Sequence, residues 1–206
     1  MIIGFCGGTG AGKSTLVEYA AEILGTQDTL IISQDHYYKH EPKRTLEERS
    51  QTNFDHPNAL DFELLTTHIN MLQNRNDIQR PVYSFETHLR KSETVLYKPK
   101  KHLLVEGILI FAHQPLVEQF DLKVYIEAAK DVRVQRRIAR DVAFRGRTEN
   151  EVRERFKTRL HAMHEQFIAP HKLHSDLIVN NNDKIETAKT TLHQWIKKQL
   201  MHEKTS

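Results

Sequence analysis

Cysteine occurs once in the 206 residues, at Cys6, so no intrachain disulfide is available and a packed core must hold the fold. The same scarcity points to a reducing cytoplasm as the expected location. Long apolar runs are also missing. With 38% hydrophobic residues and a mean hydropathy of −0.60, no stretch approaches the roughly 20 residues of a membrane span. The N-terminus lacks a basic lead-in, and its short apolar stretch runs straight into glycines, which argues against a signal peptide. Net charge is only +3, so neither nucleic acid nor a membrane is expected as a partner. Histidine, by contrast, is plentiful, with pairs at His161/His164 and His171/His174. Without cysteine partners or a carboxylate pattern nearby, they read as solvated helix-face residues and not as a zinc site.

What the chain does have is GGTGAGKST, immediately after its first apolar run. Gly7, Gly12, Lys13 and Ser14 occupy the defining positions of a Gly-x4-Gly-Lys-Ser phosphate loop. Glycines let the backbone N–H groups wrap a phosphate chain, and a helix opening at Lys13 aims its positive end at the anion. Gly7, Gly8, Thr9, Gly10, Ala11, Gly12, Lys13, Ser14 and Thr15 are therefore the candidate triphosphate contacts. Lys13 is expected to reach the β/γ-phosphates, and the Ser14 hydroxyl to ligate Mg²⁺.

Five apolar runs read as buried parallel strands: 2–5, 30–33, 103–106, 123–126 and 177–179. Helical patterns cover 13–24, 61–73, 114–120, 131–144 and 184–200. That alternation predicts a three-layer α/β domain over residues 1–206. Two inserts interrupt it. Residues 78–99 read as a β-hairpin. Residues 145–170 read as a basic helix–turn–helix lid on a Gly146 hinge, its first helix opened by a Thr148/Glu151 capping box.

In an open parallel sheet, ligands sit beyond the carboxyl ends of the strands. Asp35, in SQDHYYK after the second strand, and Glu106, in LLVEGIL at the end of the third, reach that edge with the phosphate loop. One carboxylate is needed beside Mg²⁺ and one to take a proton from an attacking hydroxyl. Glu106 suits the first role and Asp35 the second, with Asp35 also close enough to the metal to count among its candidate partners. Residues 130–172 hold twelve Lys and Arg against six Asp and Glu. Arg133, Arg136, Arg137 and Arg140 share one helix flank, and Arg145 and Arg147 follow at the hinge. Arg140 and Arg145 are expected to neutralise a transferring phosphoryl group, Arg133 and Arg136 to be a solvated basic face. In the hairpin, Tyr83 and Phe85 project from one strand face and His88 follows, a set suited to a planar heterocycle.

Together these blocks resemble the uridine kinases, also called uridine–cytidine kinases. The resemblance rests on GGTGAGKST, SQDHYYK, TNFDHPNALD, RPVYSFETHLRKSETV, LVEGIL and RRIARDVAFRGR, in that family's order. It implies a P-loop kinase fold with core strands in the order 2-3-1-4-5. It also implies transfer of the γ-phosphate of ATP or GTP to the 5′-hydroxyl of uridine or cytidine, and a tetrameric assembly. By that resemblance Asp35 is the general base, and Asp55 and Arg137 hold the ribose hydroxyls. Tyr83, Phe85 and His88 line the base pocket with Tyr38 nearby. Arg140 and Arg145 contact phosphates, Arg147 belongs to the lid, and Ser14 with Glu106 forms the magnesium site. Two segments depart from the pattern: Arg155-Phe156 stands where Gln-Tyr is usual, and Asn180-Asn181-Asn182 where Pro-Arg-Gly is usual. A phosphoribulokinase-type kinase of a sugar phosphate is the alternative, for which Arg155 offers an anion contact. A guanine-nucleotide switch is disfavoured, because Asn180-Asn181-Asn182-Asp183 lacks the lysine of a base-reading motif.

Overall fold

Strands that are apolar on both faces need helices on both sides of their sheet, and the chain supplies them alternately. A computed structural model describes residues 1–144 and 146–205. In chain order its first half runs β1 (Ile2–Cys6), α1 (Lys13–Leu24), β2 (Thr29–Ser33), α2 (Leu46–Ser50), α3 (Phe62–Gln73), β3 (Ile78–Ser84) and β4 (Leu89–Tyr97). The second half runs β5 (His102–Glu106), α4 (Gln114–Val117), β6 (Leu122–Glu127), α5 (Lys130–Phe144), α6 (Glu149–Arg155), α7 (His161–Phe167), β7 (Leu177–Asn180) and α8 (Ile185–Thr205).

The core sheet is parallel throughout, in the order β2-β5-β1-β6-β7. Without the hairpin strands this is 2-3-1-4-5, as expected from the resemblance. Every residue of β1 is buried. Ile2 and Cys6 enter one core with Leu65, Ile69 and Leu72 of α3, while Ile3 and Phe5 enter the other. Leu16, Val17 and Ala20 of α1 and Leu192 and Ile196 of α8 close that second face. Helical spacing puts each set on one stripe. The strand register then sets up the site. Phe5 and Ser33 both pair with Glu106, so β1, β2 and β5 end side by side.

Elsewhere the structure departs from expectation. The helix expected over 114–120 stops at Val117, and the amides of Gln119 and Phe120 bond only three residues back, at 3.1 Å each. Phe120 turns into the core there, its ring 5.7 Å from Phe111, and Asp121 accepts the Ile2 amide at 2.6 Å. α2 was not foreseen, although its Thr45/Glu48 capping box is written in TLEE. The turn expected inside the lid is absent between Glu149 and Phe167. After the Thr148/Glu151 capping box, α6 runs through a π-helical stretch, Phe156–Leu160, directly into α7. Gly146 carries a φ of 62° at the hinge. Among the described residues no helix is long and apolar enough to cross a membrane.

Candidate active site

The loop after β1 owes its shape to its glycines. Gly10 and Gly12 have φ of 79° and 86°, and a Cβ on Gly10 would collide with the Arg133 carbonyl oxygen. Gly12 caps α1 without a side-chain hydrogen bond, so first-turn amides are left as donors at the loop. Lys13 donates to the carbonyls of Gly7 at 3.0 Å and Gly8 at 3.3 Å. Burial pulls its pKa down, and the carboxylates of Glu106 and Asp35 work against that shift. The exposed Ser14 and Thr15 stand at the same helix end.

Asp35 opens the short 3-10 turn after β2, where the Ser33 hydroxyl accepts its amide at 3.3 Å. The Tyr38 hydroxyl lies 3.5 Å from its carboxylate as donor. Burial pushes the Glu106 carboxyl upward in pKa; Lys13 opposes this and Asp35 reinforces it. A cavity of about 910 Å³ is lined by Lys13, Ser14, Asp35 and Glu106 together. Two carboxylates and a hydroxyl are hard oxygen donors that suit Mg²⁺, with phosphate oxygens and water completing the shell. Among the described residues no group of three His, Cys, Asp or Glu forms an all-protein metal cage.

The arginine flank of α5 is organised around Asp141, whose charge the helical spacing alone reads only as offsetting part of the stripe's repulsion. Asp141 is buried, and Arg137 Nε and Arg140 Nε donate to its carboxylate at 3.3 and 2.9 Å. Across the hinge Arg147 lies 3.6 Å from the same carboxylate. Arg137 also donates to the Thr9 hydroxyl at 2.7 Å and sits 4.0 Å from Asp55, so it bridges the phosphate loop and the far side of the cavity. The signal was present: Asp141 follows Arg137 by one helical turn. Arg145 lies outside the described residues. The expected solvation of Arg133 and Arg136 is corrected. Arg133 is buried, donates to the Ala128 carbonyl at 3.1 Å and lies 5.7 Å from the Phe156 ring centre. Arg136 is half-buried and donates to the Asn181 carbonyl at 2.8 Å. Both are drawn inward because α5 packs against the phosphate loop and the lid. His164 is likewise half-buried beside Arg133, and burial first, then the Arg133 charge, pulls its pKa down to about 4.

At the other end of the cavity Tyr38, Asp55, Tyr83, Phe85, His88 and Arg137 come together as the sequence suggested. The rings form a continuous cluster. Tyr38 lies 5.1 Å from both Tyr83 and Phe54, and Phe85 lies 5.4 Å from Tyr83. His88, in a turn at φ 54°, stacks on Phe54 at 4.9 Å. Phe54 lies within TNFDHP, where nothing in residue type or spacing marks it as part of the aromatic wall. Arg90 fastens this wall by donating to the Tyr38 carbonyl at 2.9 Å and to Asp61 at 3.0 Å. Two buried polar atoms here, the Tyr83 hydroxyl and His88 Nδ1, have no hydrogen-bond partner among the described residues. Burial, aided by the charges of Arg49, Arg147 and Arg155, lowers the His88 pKa, so the imidazole is neutral at neutral pH. Burial raises the pKa of Asp55, and Arg137 opposes that shift.

The family model for the phosphoribulokinase/uridine kinase family matches residues 2–188. The chain belongs to that family. Proteins called uridine kinase are similar to this family member along most of their length. The one from Clostridium novyi is 40% identical over 179 residues, 87% of this chain and 86% of that protein. The one from Halobacterium salinarum is 42% identical over 177 residues, 86% of this chain and 78% of that protein. Among solved structures, a putative fructose transport system kinase from a Silicibacter species shares the fold. It has a TM-score of 0.69 at 18% identity, covering 86% of this chain and 88% of that one. D-glycerate 3-kinase from Cryptococcus neoformans does so at 0.60 and 18%, covering 87% and 86%. This member of the phosphoribulokinase/uridine kinase family is thus a P-loop kinase, a phosphotransferase acting on a hydroxyl acceptor.

Proposed function

We propose that this kinase transfers the γ-phosphate of ATP or GTP to the 5′-hydroxyl of uridine or cytidine, giving UMP or CMP. The observation that carries the reading is a cavity with two chemically distinct ends: phosphate loop, Asp35 and Glu106 at one, and an aromatic cluster with Asp55 and Arg137 at the other. A triphosphate belongs at the first end and a nucleoside at the second. The uridine kinase relatives support the same acceptor.

In this mechanism the phosphate-loop amides and Lys13 hold the β/γ-phosphates. Asp55 and Arg137 fix the ribose hydroxyls, and stacking among Tyr38, Tyr83 and Phe85 orients the base. The neutral His88 and the Tyr83 hydroxyl gain partners on the base edge, which offsets the cost of burying them. Asp35 accepts the 5′-hydroxyl proton as that oxygen bonds to the γ-phosphorus. The bond from the phosphorus to the β–γ bridging oxygen breaks, and the nucleoside diphosphate leaves. Ser14 and Glu106, with Asp35 beside them, would hold Mg²⁺, which would neutralise charge on the phosphate oxygens. Arg140 stabilises the transferring group, Arg145 is assigned the same task by resemblance alone, and Arg147 closes with the lid to exclude water. A tetramer and a cytoplasmic location complete the proposal, and light scattering on the purified protein tests the first.

The deciding experiment is a coupled ADP-release assay over a panel of nucleosides and sugar phosphates. Turnover with uridine and cytidine well above the ATP-only background is expected. Background rates with both pyrimidine nucleosides overturn the reading.

A further inference from the structure

We infer that Arg155 and Arg159 form an anion subsite in the acceptor half of the cavity, taking a carboxylate or phosphate carried by the acceptor away from its reacting hydroxyl. This inference rests on the assignment of the acceptor end under Proposed function. The arginines that line the cavity fall into two groups. Arg136 is held by the Asn181 carbonyl, and Arg137, Arg140 and Arg147 by Asp141. Arg155 and Arg159 also line the cavity, yet among the described residues neither has an ion-pair partner within 4 Å. The contrast with Arg153 is direct, since that side chain, which does not line the cavity, pairs with Glu149 at 2.6 Å.

The backbone explains why the two guanidiniums point the same way. Arg155 closes α6, Thr158 and Arg159 lie in the π-helical Phe156–Leu160 that follows, and all three line the cavity. π-Helical widening recurs at functional sites, because it reorients side chains at a cost in helix geometry. Two like charges four residues apart on one face also repel each other unless an anion lies between them. Neutralising Asp55 does not account for the pair, since Arg137 already sits 4.0 Å from that carboxylate. A neutral nucleoside would leave both exposed guanidiniums paired only with water. Their planar forks match a carboxylate or phosphate, which can accept two parallel hydrogen bonds. Arg155 and Arg159 line the cavity together with His88 and Asp55, and their charges contribute, behind burial, to the pKa shifts of those two groups, which assigns the anion to the base or ribose end.

The test is calorimetric titration of the full chain, with Mg²⁺ and a non-hydrolysable ATP analogue. The probes are uridine, 5-carboxyuridine, uridine 3′-phosphate and ribulose 5-phosphate. At low salt at least one anionic probe should bind about tenfold tighter than uridine, the ratio expected for one charge-assisted pair. Arg155→Gln/Arg159→Thr should remove that preference, with uridine affinity falling by a smaller factor; the single substitutions serve if the double variant fails to fold. A preference for 5-carboxyuridine places the anion on the base, and one for uridine 3′-phosphate places it on the ribose. If no anionic probe outbinds uridine, or the preference survives the double substitution, the subsite is refuted. If ribulose 5-phosphate alone binds through these arginines and uridine and cytidine give no turnover, the nucleoside reading falls and the subsite stands.

Discussion

Asp141→Asn is the most informative single substitution, because one buried carboxylate organises three arginines of the proposed site. The Asp141 side chain is fully buried and that of Arg137 is 9% exposed, whereas Arg147 and Arg140 are 27% and 40% exposed. The Arg137 pair therefore dominates, and the other two are screened by water. Asparagine keeps the shape but replaces one accepting oxygen with a donor. Breaking a buried pair from one side costs roughly 3–5 kcal/mol, and the retained oxygen brings the expected loss to about 3 kcal/mol. At this chain length that lowers Tm by about 6–12 °C. Arg137 also reaches Thr9 and Asp55, so its displacement disturbs both ends of the cavity. A shift of about 1 Å in such a group lowers kcat about a hundredfold. Calorimetry and steady-state kinetics on the same preparation read both effects. A Tm within about 1 °C of wild type, or kcat within about threefold, refutes the claim that Asp141 holds these arginines in place.

Two further predictions follow from buried groups. His164 has its pKa lowered from 6.5 to about 4 by burial and by facing Arg133, His161 and Lys13. The unfolded chain then binds more protons in that window, so stability falls as pH drops from 6.5 towards 4. His164→Gln should shrink the fall in Tm between pH 7.5 and 5, and an unchanged fall removes His164 as its source. Tyr83→Phe deletes a buried hydroxyl that has no partner among the described residues, so Tm should hold or rise slightly. The acceptor KM should nevertheless rise about 5- to 30-fold as a hydrogen bond to the base is lost, with the ATP KM unmoved. A drop in Tm with no change in acceptor KM contradicts that assignment.

The core strands and the phosphate loop were legible because their signals are local: apolar runs buried on both faces, and glycines required by backbone shape. The hairpin and the Thr148 cap followed from equally local patterns. What escaped depended on contacts between distant segments. The end of α4 is set by Phe120 finding Phe111 and by Asp121 reaching the Ile2 amide. Arg133 and His164 looked like solvated helix residues because amphipathic spacing cannot show that the lid packs over the phosphate loop. In the candidate site, Asp35, Glu106, Tyr83 and His88 were expected from residue type and position on strand ends or hairpin, and all four line the one cavity. Asp141 was legible only as a partial offset to the arginine charges, and Phe54 carried no expectation, because each acts on neighbours: one clamps arginines, the other supports a stacked imidazole.

The central claim is that a single cavity brings a phosphate donor to a nucleoside hydroxyl activated by Asp35. The most direct test is mass-spectrometric measurement of UMP formed from uridine and ATP by wild type and Asp35→Asn, with Mg·ATP affinity measured alongside. The account predicts one UMP per ADP from wild type. Asp35→Asn should lose about 10²–10⁴ in rate, the usual contribution of a general base, with ATP affinity within about threefold. No UMP from wild type, or an Asp35→Asn enzyme that forms UMP at an undiminished rate, would contradict it.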